Sequence, residues 1–243
     1  MKIIITKDYE EASRKAAEIL IKQIKDKPDS ILGLATGATP IGLYRYMVAD
    51  HEANGTSYKA LKTYNLDEYV GLTRDHPQSY YHFMNEHLFS KVDIDPEHTH
   101  VPHGDLPVDE ACEAYNARLA NNTRDLQLLG IGSNGHIGFN EPGSSFDSHV
   151  HCVDLKESTI QDNARLFFDG DINAVPKQAI TMGIADVMAA KKVLIMASGK
   201  GKAKAVKAMI EDEISNEVPA TILQKHPDVV VVLDEDAASL LTK

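Results

Sequence analysis

The chain alternates short apolar runs with helical patterns almost from end to end, and that alternation narrows the fold class more than any other feature. The runs are KIIIT (Lys2–Thr6), SILGLA (Ser30–Ala35), LKTYNL (Leu61–Leu66), DLQLLGI (Asp125–Ile131), VHCVDL (Val150–Leu155), KVLIMA (Lys192–Ala197) and DVVVVL (Asp228–Leu233). Strands that are apolar on successive residues bury both faces, which happens when a parallel sheet is covered by helices on either side. The expectation is a single doubly wound, Rossmann-like α/β domain over residues 1–243, with a mostly parallel sheet of six or seven strands and helices on both faces. No repeat, low-complexity tract or linker interrupts it. The segment 156–176 fits regular packing least, mixing Asp162, Asn163, Asp169, Gly170 and Asp171 with Leu166, Phe167 and Phe168. It reads as a lid over a site or as a surface helix with core-facing aromatics, and segments of this length serve either purpose.

At 243 residues such a domain buries a sizeable core without staples. Cys112 and Cys152 are the two cysteines, too few for a disulfide scaffold and consistent with packing roles in a reducing compartment. The opening MKIIIT has three consecutive isoleucines ahead of Lys7, so it lacks the form of a signal peptide, and the expected location is cytoplasmic. A net charge of −11 argues against nucleic acid or an anionic membrane as partner. A small anionic substrate remains compatible, but only in a local pocket of backbone N–H groups and cations.

GIGSNGHIGFNEPG (Gly130–Gly143) follows the fourth run and is too polar for core and too constrained for a linker. It presents Asn134, His136 and Glu141 at a strand's carboxyl end, the place where open α/β sheets bind ligands. Its Gly130, Gly132 and Gly135 spell G-x-G-x-x-G, yet Gly138, Pro142 and Gly143 prevent the helix that a dinucleotide site requires. The glycines fit close approach of backbone to a smaller ligand better.

ATGATPIGLY (Ala35–Tyr44) places a small-residue turn between a strand and a helix, with Thr39 as N-cap and Pro40 as first helical residue. The N–H groups of Gly37, Ala38 and Thr39 would face an anion there, aided by the helix dipole; the plainer reading is a tight turn. Candidate cations are Arg165 and one of Lys200, Lys202, Lys204 and Lys207, which spacing does not separate. In YNLDEYVGL, Asp67 and Glu68 stand at the end of the third run, and one of the two fits a general base. Adjacent side chains on extended backbone point apart. His98, His100 and His103 lack the partners of a metal centre and read as a solvated loop; no zinc spacing, Walker A sequence or nucleophile elbow occurs.

Taken together, GLATGATP, YNLDEYVGL, HPQSYYHFM, GIGSNGHIGFNEPG, the Arg165 segment with FFD, VPKQAITMG and SGKGKA resemble, in order and over the whole chain, the glucosamine-6-phosphate deaminases. The resemblance is to the short, non-allosteric bacterial type within the sugar-phosphate isomerase superfamily. It implies conversion of glucosamine 6-phosphate and water to fructose 6-phosphate and ammonia in amino-sugar catabolism, without a metal or organic cofactor. It assigns ring opening to His136, orientation of that imidazole to Glu141, proton transfer from C2 to C1 to Asp67, and a part in the site to Asn134, where larger members carry aspartate. Thr36, Gly37, Ala38, Thr39, Arg165 and Lys202 fall on its phosphate-binding positions, and 156–176 on its lid. Ala38 replaces a glycine, which requires a negative φ.

Allosterically activated members carry an arginine and a lysine where His151 and Val153 stand, and have a longer tail than one ending at Lys243. The resemblance therefore implies no activation by N-acetylglucosamine 6-phosphate, and a monomer in preference to a homo-oligomer. The rivals are a 6-phosphogluconolactonase-like hydrolase, whose pattern lacks the FNEP continuation with Glu141, and a catalytically silent sugar-phosphate sensor, in which Asp67 and His136 need not survive.

Overall fold

In a computed structural model, residues 1–242 are described, apart from the side chains of Ser158, Asp162, Leu166 and Phe167. The three of these that the lid reading invoked lie outside the described side chains. The chain runs through β1 (Lys2–Thr6), α1 (Tyr9–Asp26), β2 (Ile31–Leu34), α2 (Ile41–Asn54), β3 (Lys62–Asn65), β4 (Asp67–Tyr69), α3 (Tyr80–His87), β5 (Thr99–His100) and α4 (Val108–Ala120). It continues through β6 (Leu126–Leu129), β7 (His151–Asp154), α5 (Glu157–Phe167), β8 (Gln178–Thr181), α6 (Ile184–Met188), β9 (Val193–Ala197), α7 (Ala203–Glu211), β10 (Val229–Asp234) and α8 (Glu235–Ala238).

Seven strands form the main sheet in the order β1-β10-β9-β6-β2-β3-β5. Every pair in it is parallel, and helices flank the sheet, as the alternation of apolar runs requires. The central strands β9 and β10 are buried at every residue, so VLIMA and VVVVL have no polar face to alternate. On α1, Ala12, Ala16, Leu20 and Ile24 fall on one buried stripe, and the Asp8 carboxylate caps the helix by accepting from the Glu11 N–H at 2.9 Å.

Three assignments need correction. The run at Val150–Leu155 is not in the parallel sheet: its residues His151–Asp154 form β7 in a second, antiparallel sheet of order β4-β8-β7. The seventh parallel strand is instead β5, two residues within the HTHVPH stretch that reads as solvated loop. A two-residue strand has no periodicity to detect, and His100 enters the sheet because its ring packs on Tyr64, with centroids 4.6 Å apart. The expected loop after LKTYNL likewise becomes β4, whose Asp67 pairs with Thr181 of β8.

The segment over the second sheet is helical. Ile160 and Ala164 of α5 and the following Phe168 bury against Tyr69, Phe139 and Ala179, a small apolar cluster separate from the main core. Among the described residues no helix is long and apolar enough to cross a membrane. Cys112 and Cys152 are free and half-buried.

Candidate functional site

Strand order explains where the site lies. β9, β6, β2 and β3 are consecutive in the sheet, so the segments leaving their carboxyl ends meet at one mouth, and β4 follows β3 directly. A cavity of about 720 Å³ opens there. Thr36, Gly37, Ala38 and Thr39 line it from the β2 segment, Asp67 from β4, His136 from the β6 segment, Arg165 from α5 and Lys202 from the β9 segment. Asn134 and Glu141 do not line it. They stand behind His136.

The turn after β2 is built differently from the expected cap. Helix α2 starts at Ile41 with Pro40, not Thr39, in the capping position, and no side chain caps it. Tyr9 supplies what Thr39 does not. Its hydroxyl accepts from the Gly42 N–H at 2.9 Å and faces the carbonyls of Ala38 and Thr39 at 3.1 Å each, so one phenol ties the turn to the helix start. Among the described residues no protein acceptor takes the N–H groups of Gly37, Ala38 or Thr39. Asp169 is the one non-glycine among them with positive φ, so Ala38 meets the condition its substitution for glycine imposes. The turn leading to Lys202 is held by a neighbouring strand: Asp234, at the end of β10, accepts from the Gly199 N–H at 3.0 Å and from the Ser198 hydroxyl.

Asp67 and Glu68 part company on the short strand β4, as alternating side chains must. Glu68 turns into backbone, accepting the N–H groups of Tyr69 (2.9 Å), Tyr80 (2.9 Å) and Tyr81 (3.0 Å), and so caps the start of α3. Burial still dominates those bonds and pushes its carboxyl up to about 7. Asp67 faces the cavity, and among the described residues nothing donates a hydrogen bond to its carboxylate. Burial, and then the nearby Glu68, push it up to about 8.

Around His136 the loop is drawn tight. The Gly132 N–H donates to the His136 carbonyl at 2.9 Å, and a methyl group on Gly132 would lie 2.3 Å from the imidazole ring, so only glycine lets the ring fold back over the loop. The Asn134 side chain works in both directions, accepting from the His136 N–H at 3.2 Å and donating to Glu141 Oε2 at 2.7 Å. Glu141 Oε1 accepts from the Thr159 hydroxyl at 2.7 Å and lies 3.4 Å from His136 Nδ1, close enough for charge but not aligned as a hydrogen bond. Burial alone would raise the Glu141 carboxyl; His136, Thr159 and Asn134 outweigh it and hold it at about 2, so it stays anionic beside the imidazole. Asn140, fully buried, donates to the carbonyls of Ile137 (2.9 Å) and Met182 (2.8 Å), which fastens the FNEP turn to the segment after β8.

Tyr9, Tyr80, Thr159 and Asn163 also line the cavity and were not singled out by sequence. Tyr80 belongs to the HPQSYYHFM stretch and stacks parallel to Phe139, with centroids 6.3 Å apart. His149 and His151 do not form a metal centre: His149 Nδ1 contacts Asp186 at 2.7 Å and His151 Nδ1 the His149 carbonyl at 2.7 Å, and no metal-holding group of three ligands occurs among the described residues. The arrangement brings a cavity-facing carboxyl, an imidazole backed by a carboxylate, a turn with open backbone donors and two cations to one cavity. That combination can move protons on a small anionic substrate.

The chain is similar to known proteins over nearly its whole length. A family model described as glucosamine-6-phosphate isomerases/6-phosphogluconolactonase matches residues 7–232. The chain is 51% identical over 243 residues to a glucosamine-6-phosphate deaminase of Geobacillus sp., spanning 99% of this chain and 96% of that one. It is likewise 51% identical to a glucosamine-6-phosphate deaminase of Clostridium perfringens, spanning 99% and 100%. A solved monomeric glucosamine-6-phosphate deaminase superimposes with a TM-score of 0.96 at 45% identity, over 99% of this chain and 100% of that one. The 6-phosphogluconolactonase of Trypanosoma brucei, at a TM-score of 0.82 and 20% identity over 99% and 98%, shares the fold alone.

Proposed function

We infer, for a chain that belongs to the family of glucosamine-6-phosphate isomerases and 6-phosphogluconolactonases, how its residues act in a glucosamine-6-phosphate deaminase. The reaction converts D-glucosamine 6-phosphate and water to D-fructose 6-phosphate and ammonia. The observation that carries this reading is the shared cavity, in which Asp67 and His136 face one volume whose rim presents the N–H groups of residues 37–39, Arg165 and Lys202.

The phosphate is held by the Thr36–Thr39 turn with Arg165 and Lys202, which fixes the far end of the sugar and orients the reacting carbons. His136 passes a proton from the anomeric hydroxyl to the ring oxygen, opening the pyranose. Glu141 supports the charge that develops on the imidazole, and Asn134 fixes Glu141 and the loop, so its part is positioning. Asp67 takes the proton from C2 of the open-chain aldehyde, giving an enolamine, and delivers it to C1. The resulting C2 imine adds water and releases ammonia, leaving the ketone. The open carboxylate and raised pKa of Asp67 suit a group that must both accept and return one proton.

The chain acts as a monomer in amino-sugar breakdown, a reading supported by the monomeric solved relative. N-acetylglucosamine 6-phosphate leaves its saturation curve unchanged, because His151 and Val153 provide neither of the cations on which activation depends. The deciding assay incubates purified protein with glucosamine 6-phosphate and scores both products. Equimolar ammonia and fructose 6-phosphate are expected; binding without turnover would favour a silent sensor, and turnover of 6-phosphogluconolactone alone would favour the hydrolase.

A further inference from the structure

The geometry points to Thr159 as a positioning residue for this reaction: from helix α5 it holds the Glu141 carboxylate, and through it sets the contact between Glu141 and His136, so that the helix bearing Arg165 governs ring opening. The inference rests on the deaminase reading and on Arg165 as a phosphate ligand.

Among the described residues the Glu141 carboxylate has three side-chain contacts. Two come from its own loop, Asn134 on Oε2 and His136 near Oε1. The third crosses from another element, the buried Thr159 hydroxyl on Oε1 at 2.7 Å. Thr159 therefore bonds the same oxygen that the imidazole needs. His136 Nδ1 is buried without a hydrogen-bond partner and sits 3.4 Å from that oxygen, so a small displacement of Glu141 decides whether the pair aligns. An unpaired buried nitrogen makes the aligned arrangement the favourable one once it is within reach.

Beyond Thr159, which itself lines the cavity, α5 continues along the same volume. Asn163, one turn beyond Thr159, lines the cavity and donates to the Tyr69 hydroxyl at 2.7 Å, and Arg165 lines it as well. A phosphate drawn to Arg165 pulls on an eleven-residue helix whose first turn is bonded to Glu141. The sugar's phosphate, remote from the ring oxygen, is thereby coupled to the proton transfer that opens the ring, and its binding energy is expressed in turnover as well as in affinity.

The experiment follows the imidazole of His136 by nitrogen–proton correlation NMR, and the amides of Gly37–Thr39, as inorganic phosphate is added to wild type, Thr159→Val and Thr159→Ser. Valine keeps the shape and removes the donor; serine keeps the donor. Phosphate should move the turn amides in all three proteins but the His136 ring only in wild type and Thr159→Ser. In turnover, Thr159→Val should lose about 10- to 100-fold in kcat with KM changed less than about threefold, and serine should recover most of the loss. A His136 ring in Thr159→Val that responds as in wild type, or a kcat loss that serine does not recover, overturns the inference. So does a wild-type ring that stays still while the amides move, with the phosphate site intact. If the amides also stay still, the phosphate reading falls with it.

Discussion

Asp67 and Glu68 leave one three-residue strand in opposite directions, the first into the cavity and the second into three backbone N–H groups at the start of α3. Neighbouring acids of nearly the same burial thus have different surroundings, one open to the cavity and one holding the strand to the helix behind it.

Replacing Asp67 by Asn should cost roughly 10² to 10⁴-fold in kcat and abolish exchange of the C2 proton, with substrate binding nearly intact. In wild type kcat/KM should rise with pH along an acid limb near 8, where burial and Glu68 place the carboxyl. The same shift fixes a stability trend. The folded pKa lies above the unfolded value, so the native state binds the extra proton and the cost of Asp67 grows as pH rises from about 4 towards 8. Asp67→Asn should therefore be more stable than wild type, by on the order of 1–3 kcal/mol at pH 8 and by little at pH 5. Thermal melts at both values test this; a gap that narrows with rising pH contradicts it.

Glu68→Gln turns an acceptor-only group into one that places an amide NH₂ among backbone donors. It should destabilise the fold by about 1–3 kcal/mol. It also removes the charge that raises Asp67, so the acid limb of kcat/KM should move to lower pH in the surviving enzyme. An unmoved limb would mean that burial alone sets Asp67.

Gly132→Ala tests the folding back of the imidazole. The added methyl would sit 2.3–2.5 Å from three atoms of the His136 ring, so the ring must swing away from Glu141. Turnover should fall at least about tenfold while phosphate affinity holds. A crystal structure of the variant with the ring in place would show that the loop yields instead.

Arg165→Ala and Lys202→Ala should each weaken binding of phosphorylated sugars roughly 10- to 100-fold, the range for losing a charge-assisted hydrogen bond. Unphosphorylated glucosamine provides the control. Equal losses on both sugars would remove these cations from the phosphate site.

Much of this arrangement is legible in the sequence, and the remainder fails for definable reasons. Six of the seven apolar runs are strands of the main sheet; interior strands such as β9 and β10 are buried on both faces and leave an unbroken signature, whereas β1 is an edge strand that leaves Ile3 and Ile5 exposed. The seventh, VHCVDL, joins the antiparallel sheet instead, and its residues His151–Asp154 carry neither an unbroken apolar run nor an apolar/polar alternation that would have told the two sheets apart. Strands of two or three residues such as β5 and β4 give no period at all. The residues that carry chemistry stand in recognisable strings, but those that hold them in place come from afar. Tyr9 reaches across 30 residues to Thr39 and Thr159 across 18 to Glu141, and neither has a local pattern that announces its partner. Thr39 was given the cap on local grounds, and a phenol from another helix took it.

The separate apolar cluster beneath α5 has a consequence for how the molecule opens. Ile160, Ala164 and Phe168 pack on Tyr69, Phe139 and Ala179 and take no part in the main core, so lifting the helix gives up that patch and the hydrogen bonds of Thr159 to Glu141 and Asn163 to Tyr69, while the parallel sheet keeps its own core. Amide hydrogens of α5 should exchange through local opening well before those of β9, which wait for global unfolding. An opening confined to α5 would leave the pairing of β9, β6, β2 and β3 intact, and with it the placement of the segments that leave their carboxyl ends.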